Sequence, residues 1–105
     1  MDYFKIVYRI LTFLKKSELR DEFDDEHFTP EYFGITDRQF ALTLERMIDD
    51  RHIKGVSVKI GADGYATVSM SSPMITTAGL EYLEENSLMQ KAARLAKGVR
   101  DILPI

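Results

Sequence analysis

The sequence predicts an α+β domain in which three helices precede a β-hairpin and further helices follow it. Three observations carry this. Apolar residues recur at helical spacing through the first half of the chain. The period switches to strict alternation between Val56 and Met70. Thr36, followed three residues later by Gln39, is a capping-box pattern that marks where the best-defined helix begins.

Residues Tyr3 to Lys16 read as the first helix. Tyr3, Ile6, Val7, Ile10 and Leu14 share one face, with Lys5, Arg9, Thr12 and Lys16 on the other side. Phe4, Tyr8, Leu11 and Phe13 widen the apolar surface, so this helix is expected to be covered on more than one side. The acidic stretch Glu18 to Glu26 has no sustained apolar period and reads as a solvated connection. Thr29-Pro30 opens a short helix, with Thr29 as N-cap and Pro30 at the first helical position, and Gly34 ends it.

The helix capped by Thr36 runs to about Asp50, with Phe40, Leu44, Met47 and Ile48 on one face. Val56, Val58 and Ile60 then interleave with Ser57 and Lys59. Gly61-Ala62-Asp63-Gly64 is a turn, and Tyr65 to Ser71 is the returning strand of a hairpin, which Ser72-Pro73 is expected to terminate. Another helix follows, capped by Thr76 or Thr77, with Leu80, Tyr82 and Leu83 on its apolar side. Asn86-Ser87 is expected to break it. In the last stretch Leu88, Ala92, Leu95, Val99 and Ile102 form a seam of about two heptads, too short for a stable coiled coil alone. The seam is expected to pack on the body of the domain or on a second copy.

Helix, short helix, helix and hairpin is the chain order of a winged helix, a helix-turn-helix plus a β-hairpin wing, here with C-terminal helices. A very short strand near His27 to Thr29 is available to pair with the hairpin and make three strands. The 105 residues suit one domain, with residues 1–87 as the winged-helix core and residues 88–105 as a C-terminal helix for packing or dimerisation.

Hydrophobic residues make up 45%, enough for one modest core, and no apolar run approaches the roughly 18 residues of a membrane span. Cysteine is absent, which removes disulfides and thiol chemistry. The start of the chain lacks the pattern of a signal peptide, so a cytoplasmic protein that contacts no membrane is expected. The net charge of −3 argues against non-specific coating of nucleic acid. The charge is uneven. Between Glu18 and Glu31 stand seven acids against the single base Arg20, and between Lys91 and Asp101 four bases stand against one acid.

The segments Tyr3-Phe4-Lys5-Ile6-Val7-Tyr8-Arg9-Ile10-Leu11 and Ile75-Thr76-Thr77-Ala78-Gly79-Leu80-Glu81-Tyr82-Leu83-Glu84-Glu85-Asn86-Ser87 resemble the YjcQ family. The resemblance covers the whole chain, and the second segment is its most specific part. It implies a winged-helix fold with four or five helices and three strands, and an origin in Firmicute bacteria, their prophages or phages. It brings no catalytic residues and no established function.

The chemistry-bearing residues point away from an enzyme. His27 and His52 fit no zinc-ligand spacing. Asp24-Asp25-Glu26-His27 lacks the spacing and glycine of an EF-hand loop, and a solvated acidic loop is the simpler reading. The hairpin turn has no following helix or Gly-Lys-Ser/Thr, so it is not a phosphate loop. No His–acid pair is placed to activate Ser57, Ser69, Ser71 or Ser72. Neither cofactor nor metal is expected.

Binding of double-stranded DNA is the leading expectation. With its apolar face inward, the helix after Thr36 would turn Arg38, Gln39, Leu42, Thr43 and Arg46 outward toward a major groove. Arg38 and Arg46 would contact guanine edges or phosphates, Gln39 adenine, and Thr43 either; Lys54 and Lys59 would place phosphate contacts from the wing. Against this, Asp37, Glu45, Asp49 and Asp50 balance the local bases, so a plain solvated face stays open. The alternative is a protein-interaction module or homodimeric adaptor joined through Leu88, Ala92, Leu95, Val99 and Ile102. A third reading, in which the acidic stretch mimics DNA, is weaker than a solvated connection.

Overall fold

A computed structural model describes residues 2–87. The elements run α1 (Tyr3–Ser17), α2 (Pro30–Phe33), α3 (Asp37–Asp49), β1 (Ile53–Ile60) and β2 (Ala66–Ile75), and residues 77–87 form a further helix, α4. This α+β order, with one antiparallel hairpin, is compatible with a winged helix. Among the described residues no helix is long and apolar enough to cross a membrane.

α1 is the centre of the core. Ile6, Val7, Ile10, Leu11 and Leu14 are buried, and the helix packs against α2, α3 and β2. The width of its apolar surface in the sequence follows from this many-sided cover. α2 is held at both ends. The Thr29 hydroxyl accepts from the Tyr32 N–H at 3.2 Å, and Gly34 closes the helix at φ +72°, a left-handed conformation that costs glycine little. Arg9 adds a tertiary cap. Its Nη1 donates to the Phe33 carbonyl at 3.0 Å while its guanidinium lies 5.5 Å from the Phe33 ring centre.

The expected strand near His27 to Thr29 is absent, and the sheet among the described residues has two strands. The Asp24 carboxylate accepts from the His27 backbone N–H at 3.3 Å and pairs with its Nδ1 at 2.8 Å. Side-chain bonds of this kind compete with a β-ladder, and residues 25–27 form a turn instead. The acidic connection nonetheless contributes to the core. Phe28 is buried and meets Phe13, Phe33 and Phe40, and Phe23 closes the cluster against Phe13 and Phe28. Most of these ring pairs are edge-to-face, the arrangement that ring quadrupoles favour.

α3 begins with the full capping box. The Gln39 N–H donates to the Thr36 hydroxyl and the Thr36 N–H to the Gln39 side-chain oxygen, both at 3.0 Å. Arg51, at φ +62°, turns the chain from α3 into β1.

The hairpin differs from its expected end. β2 continues through Pro73 to Ile75. Between the pairs Lys54↔Met74 and Val56↔Met70, Gly55 alone faces Ser71, Ser72 and Pro73. A proline is tolerated at such a bulge because no ladder donor is required of it. The bulge resolves a conflict of parity. Ile53 and Val56 are both buried although three residues apart, as odd spacing forbids in a regular strand, and across from them inward placement switches from Val68 to Pro73 and Ile75. Gly55 adopts φ +77°, and a Cβ there would overlap the Ser72 carbonyl oxygen.

Thr76 caps α4. Its hydroxyl accepts from the Gly79 N–H at 3.0 Å and donates to the Arg51 carbonyl at 2.6 Å, while its N–H donates to the His52 carbonyl at 3.0 Å. Gly79 lies so close to the His52 carbonyl that a Cβ would overlap its oxygen. Ile75-Thr76-x-x-Gly79 is thus a corner motif, with a buried anchor, a cap that reaches back to α3's end, and a glycine that lets the helix approach. Asn86 and Ser87 are both helical, where the described residues end, and the Asn86 side-chain NH2 donates to the Tyr82 carbonyl one turn back, at 2.8 Å.

Replacing Thr76 by Ala should cost about 1–2 kcal/mol, the upper part of the range for a lost N-cap, read as a lowered urea midpoint at unchanged m-value; Thr76→Ser should recover most of it. Gly55→Ala, which meets both positive φ and the Ser72 carbonyl, should lose more than about 1 kcal/mol, and more than Gly64→Ala, whose added methyl at φ +87° meets open space.

Candidate nucleic-acid interface

Two surfaces carry the residues expected to meet DNA: the outward arc of α3 and the outer face of the hairpin. On α3 the buried stripe is Phe40, Ala41, Thr43, Leu44 and Met47. Thr43 is therefore not outward. It is 3% exposed, on the same stripe as Phe40 and Met47 at spacings of three and four. α3 is covered by α1, α2 and both strands, so its buried arc is wider than the sequence pattern marked, while Ile48 and Leu42 are only half-buried.

The other expected α3 contacts are exposed, but each is engaged within the fold. Arg38 Nη1 donates to the Gly64 carbonyl at the hairpin turn, at 3.3 Å. The Gln39 side-chain oxygen is held in the capping box, so bidentate reading of adenine would break the cap. The Arg46 guanidinium lies 5.3 Å from the Tyr3 ring centre, in cation–π contact. Asp49 and the half-buried Glu45 share the arc with the two arginines. The C-terminal end of α3 is acidic in character. Burial, with the charge of Asp50 and against that of Arg46, raises the Tyr3 pKa, and burial together with Asp2 and Asp50 raises that of Tyr82.

The hairpin's outer face is different. Lys54 and Lys59 are exposed, and the cross-strand pairs Ser57↔Ser69 and Lys59↔Thr67 put hydroxyls and an ammonium on one side of the ribbon. Asp63 is the hairpin's one carboxylate. It lies in the turn and accepts from the Tyr65 N–H at 3.0 Å. Tyr65 itself is largely exposed beside it. The carboxylates of Glu31 and Asp37 border the opposite side of the ribbon, with Ala66, Val68 and Met70. The fold brings Arg38 to the turn that follows Lys59, and leaves Arg46 about 12 Å away along α3 from Arg38, eight residues at 1.5 Å each. Ser57, Thr67 and Ser69 are not among the DNA contacts expected from the sequence, although period-two alternation with Lys59 marks their face.

Leu88, Ala92, Leu95, Val99 and Ile102 lie outside the described residues. Within them, a groove of about 490 Å³ between α1 and α4, with Tyr8, Leu19, Leu80 and Leu83 among its walls, reaches Ser87. In the acidic connection, ligand atoms of Asp24, Glu26 and His27 lie within 4.8 Å of one another. The hydrogen bond from His27 holds the Asp24 carboxyl below the ordinary carboxylate range, and the local turn accounts for this grouping.

The described residues define a small α+β domain in which a helical triplet carries an antiparallel hairpin. The chain belongs to the YjcQ protein family, whose model matches residues 8–102. No curated protein and no solved structure matches it.

Proposed function

We propose that this chain is a non-enzymatic winged-helix protein that binds double-stranded DNA, as a bacterial or phage regulator would, chiefly through its wing. The observation that carries this reading is the outer face of the hairpin, where Lys54, Lys59, Ser57, Thr67 and Ser69 stand without a carboxylate in a chain of net charge −3. Ammonium groups and small hydroxyls are phosphate ligands, so contact through this face positions a duplex without reading its sequence. Arg38, fixed at the turn, extends the face toward α3. Base reading by α3 is the weaker component, because Gln39 is committed to its cap and Thr43 is buried.

Two phosphate-binding lysines imply modest, salt-sensitive affinity, in the sequence-independent range of about 10⁻⁶ to 10⁻⁴ M. Fluorescence anisotropy with a duplex at low salt is expected to show binding, and each lost phosphate contact should flatten the slope of log K against log salt by about 0.9. The double variant Lys54→Glu/Lys59→Glu should weaken binding at least about tenfold and flatten the slope. Absence of binding by the parent at low salt, or identical slopes for parent and variant, would rule out the wing as the contact.

A second reading is supported by the groove between α1 and α4. It is a protein-interaction module in which Leu88, Ala92, Leu95, Val99 and Ile102 join two copies. Light scattering across a range of protein concentrations should then show a dimer that Leu95→Asp converts to monomer; a monomeric parent at the highest concentration rejects it.

A further inference from the structure

Beside the groove between α1 and α4, sharing Tyr8, Thr12 and Lys16 with it, a second cavity combines cations with aromatic walls. Its volume is about 380 Å³, inside the roughly 300–1,000 Å³ of small-molecule sites and near their lower end. Tyr8, Phe13, Tyr32 and Phe33 form its walls, and Arg9, Lys16 and Arg20 bring three cations to it against the single carboxylate of Asp24. The local sign is opposite to that of the whole chain.

The groups are pre-positioned to different degrees. Arg9 is anchored by the Phe33 carbonyl and ring. Arg20 lies 3.6 Å from Asp24, whose carboxylate is shared with His27. Lys16 pairs with no carboxylate among the described residues. An ammonium beside aromatic walls, with no carboxylate within ion-pair distance among the described residues, attracts an anion. The Tyr32 ring meets Phe13 and Phe33 edge-to-face yet is 50% exposed, so part of its surface remains for a guest ring.

We infer that this cavity, between α1, the α1–α2 connection and α2, binds a small planar aromatic anion: a ring against Tyr8, Phe13 and Tyr32, with its anionic group at Lys16 and Arg20. The inference does not rest on the DNA-binding reading, since no wing residue takes part.

A carboxylate or a phosphate would meet the same cations, and the two sources are separable. Titration of the ¹⁵N-labelled full chain by NMR with 4-hydroxybenzoate and with AMP tests both, with phenol, adenosine and inorganic phosphate as half-ligands. At least one of the two aromatic anions is expected to shift the amides of Thr12, Phe13, Lys16, Arg20 and Tyr32, and which one does so assigns the anionic group. Its half-ligands should bind at least about tenfold more weakly, as expected if ring and anion are recognised together. Lys16→Glu, an exposed substitution, should weaken binding at least about tenfold. Lys5→Glu, exposed on the same helix but outside the cavity, should leave it unchanged. No shift with either aromatic anion overturns the proposal. So does inorganic phosphate binding as tightly as AMP, or Lys16→Glu binding as the parent does with its amide spectrum otherwise retained.

Discussion

The carbonyls of Arg51 and His52 close the domain. A two-stranded hairpin is marginal in water on its own, so its strands must be fixed at their root and against a helix. The root is the corner where α3 ends, β1 begins and α4 starts. Thr76 reaches both carbonyls from the far end of β2, one with its hydroxyl and one with its N–H. Ile53 and Ile75 are paired and buried immediately beside it. Each of these bonds joins groups about 25 residues apart in the chain and contributes about 0.5–1.5 kcal/mol net. The same corner turns Arg51 left-handed and brings Gly79 against His52, so α3, the hairpin and α4 hold their places together.

From that corner the ribbon runs along α3 with its inner face toward the core, and the bulge at Gly55 keeps that face inward on both sides of the parity switch. The consequence for function is the exposed face. Lys54 lies on one side of the bulge and Lys59 on the other, yet both are solvent-exposed. Arg38 joins the turn of the hairpin to the start of α3, so the hairpin and the helix form one continuous surface. Much of the exposed arc of α3 is used structurally. Its first turn carries the capping box and its last turn a cation–π contact with α1.

The acidic connection has two roles that composition alone merges. Its carboxylates are mostly exposed, but Phe23 and Phe28 carry it into an aromatic cluster with Phe13, Phe33 and Phe40. Burying a phenylalanine contributes about 1.5–3 kcal/mol, enough for one such residue to fix the path of an otherwise solvated segment. Asp24 is set by that path. It holds the turn with His27 and lies beside Arg20, at the edge of the cation-lined cavity on α1.

Local chemistry determined a large part of this molecule from the sequence. The Thr29-Pro30 start, the Gly34 stop, the Thr36–Gln39 box, the Gly61–Gly64 turn and the apolar stripe of α1 each depend on residues within a few positions of one another, so the string of letters carries them. Family membership was legible in the same way, through the Ile75–Ser87 segment. Other features depended on contacts between residues far apart in the chain. The burial of Thr43 required α3 to be covered on several sides. The extension of β2 through Pro73 required Gly55 opposite. The missing third strand followed from a His27–Asp24 turn outcompeting a ladder, and the engagement of Arg38, Arg46 and Arg9 required Gly64, Tyr3 and Phe33 as partners. The sequence offered a helix of outward cations. Tertiary packing turned several of those side chains to holding the fold together and left the acid-free surface on the hairpin, because a contact between distant residues has no signature in local spacing.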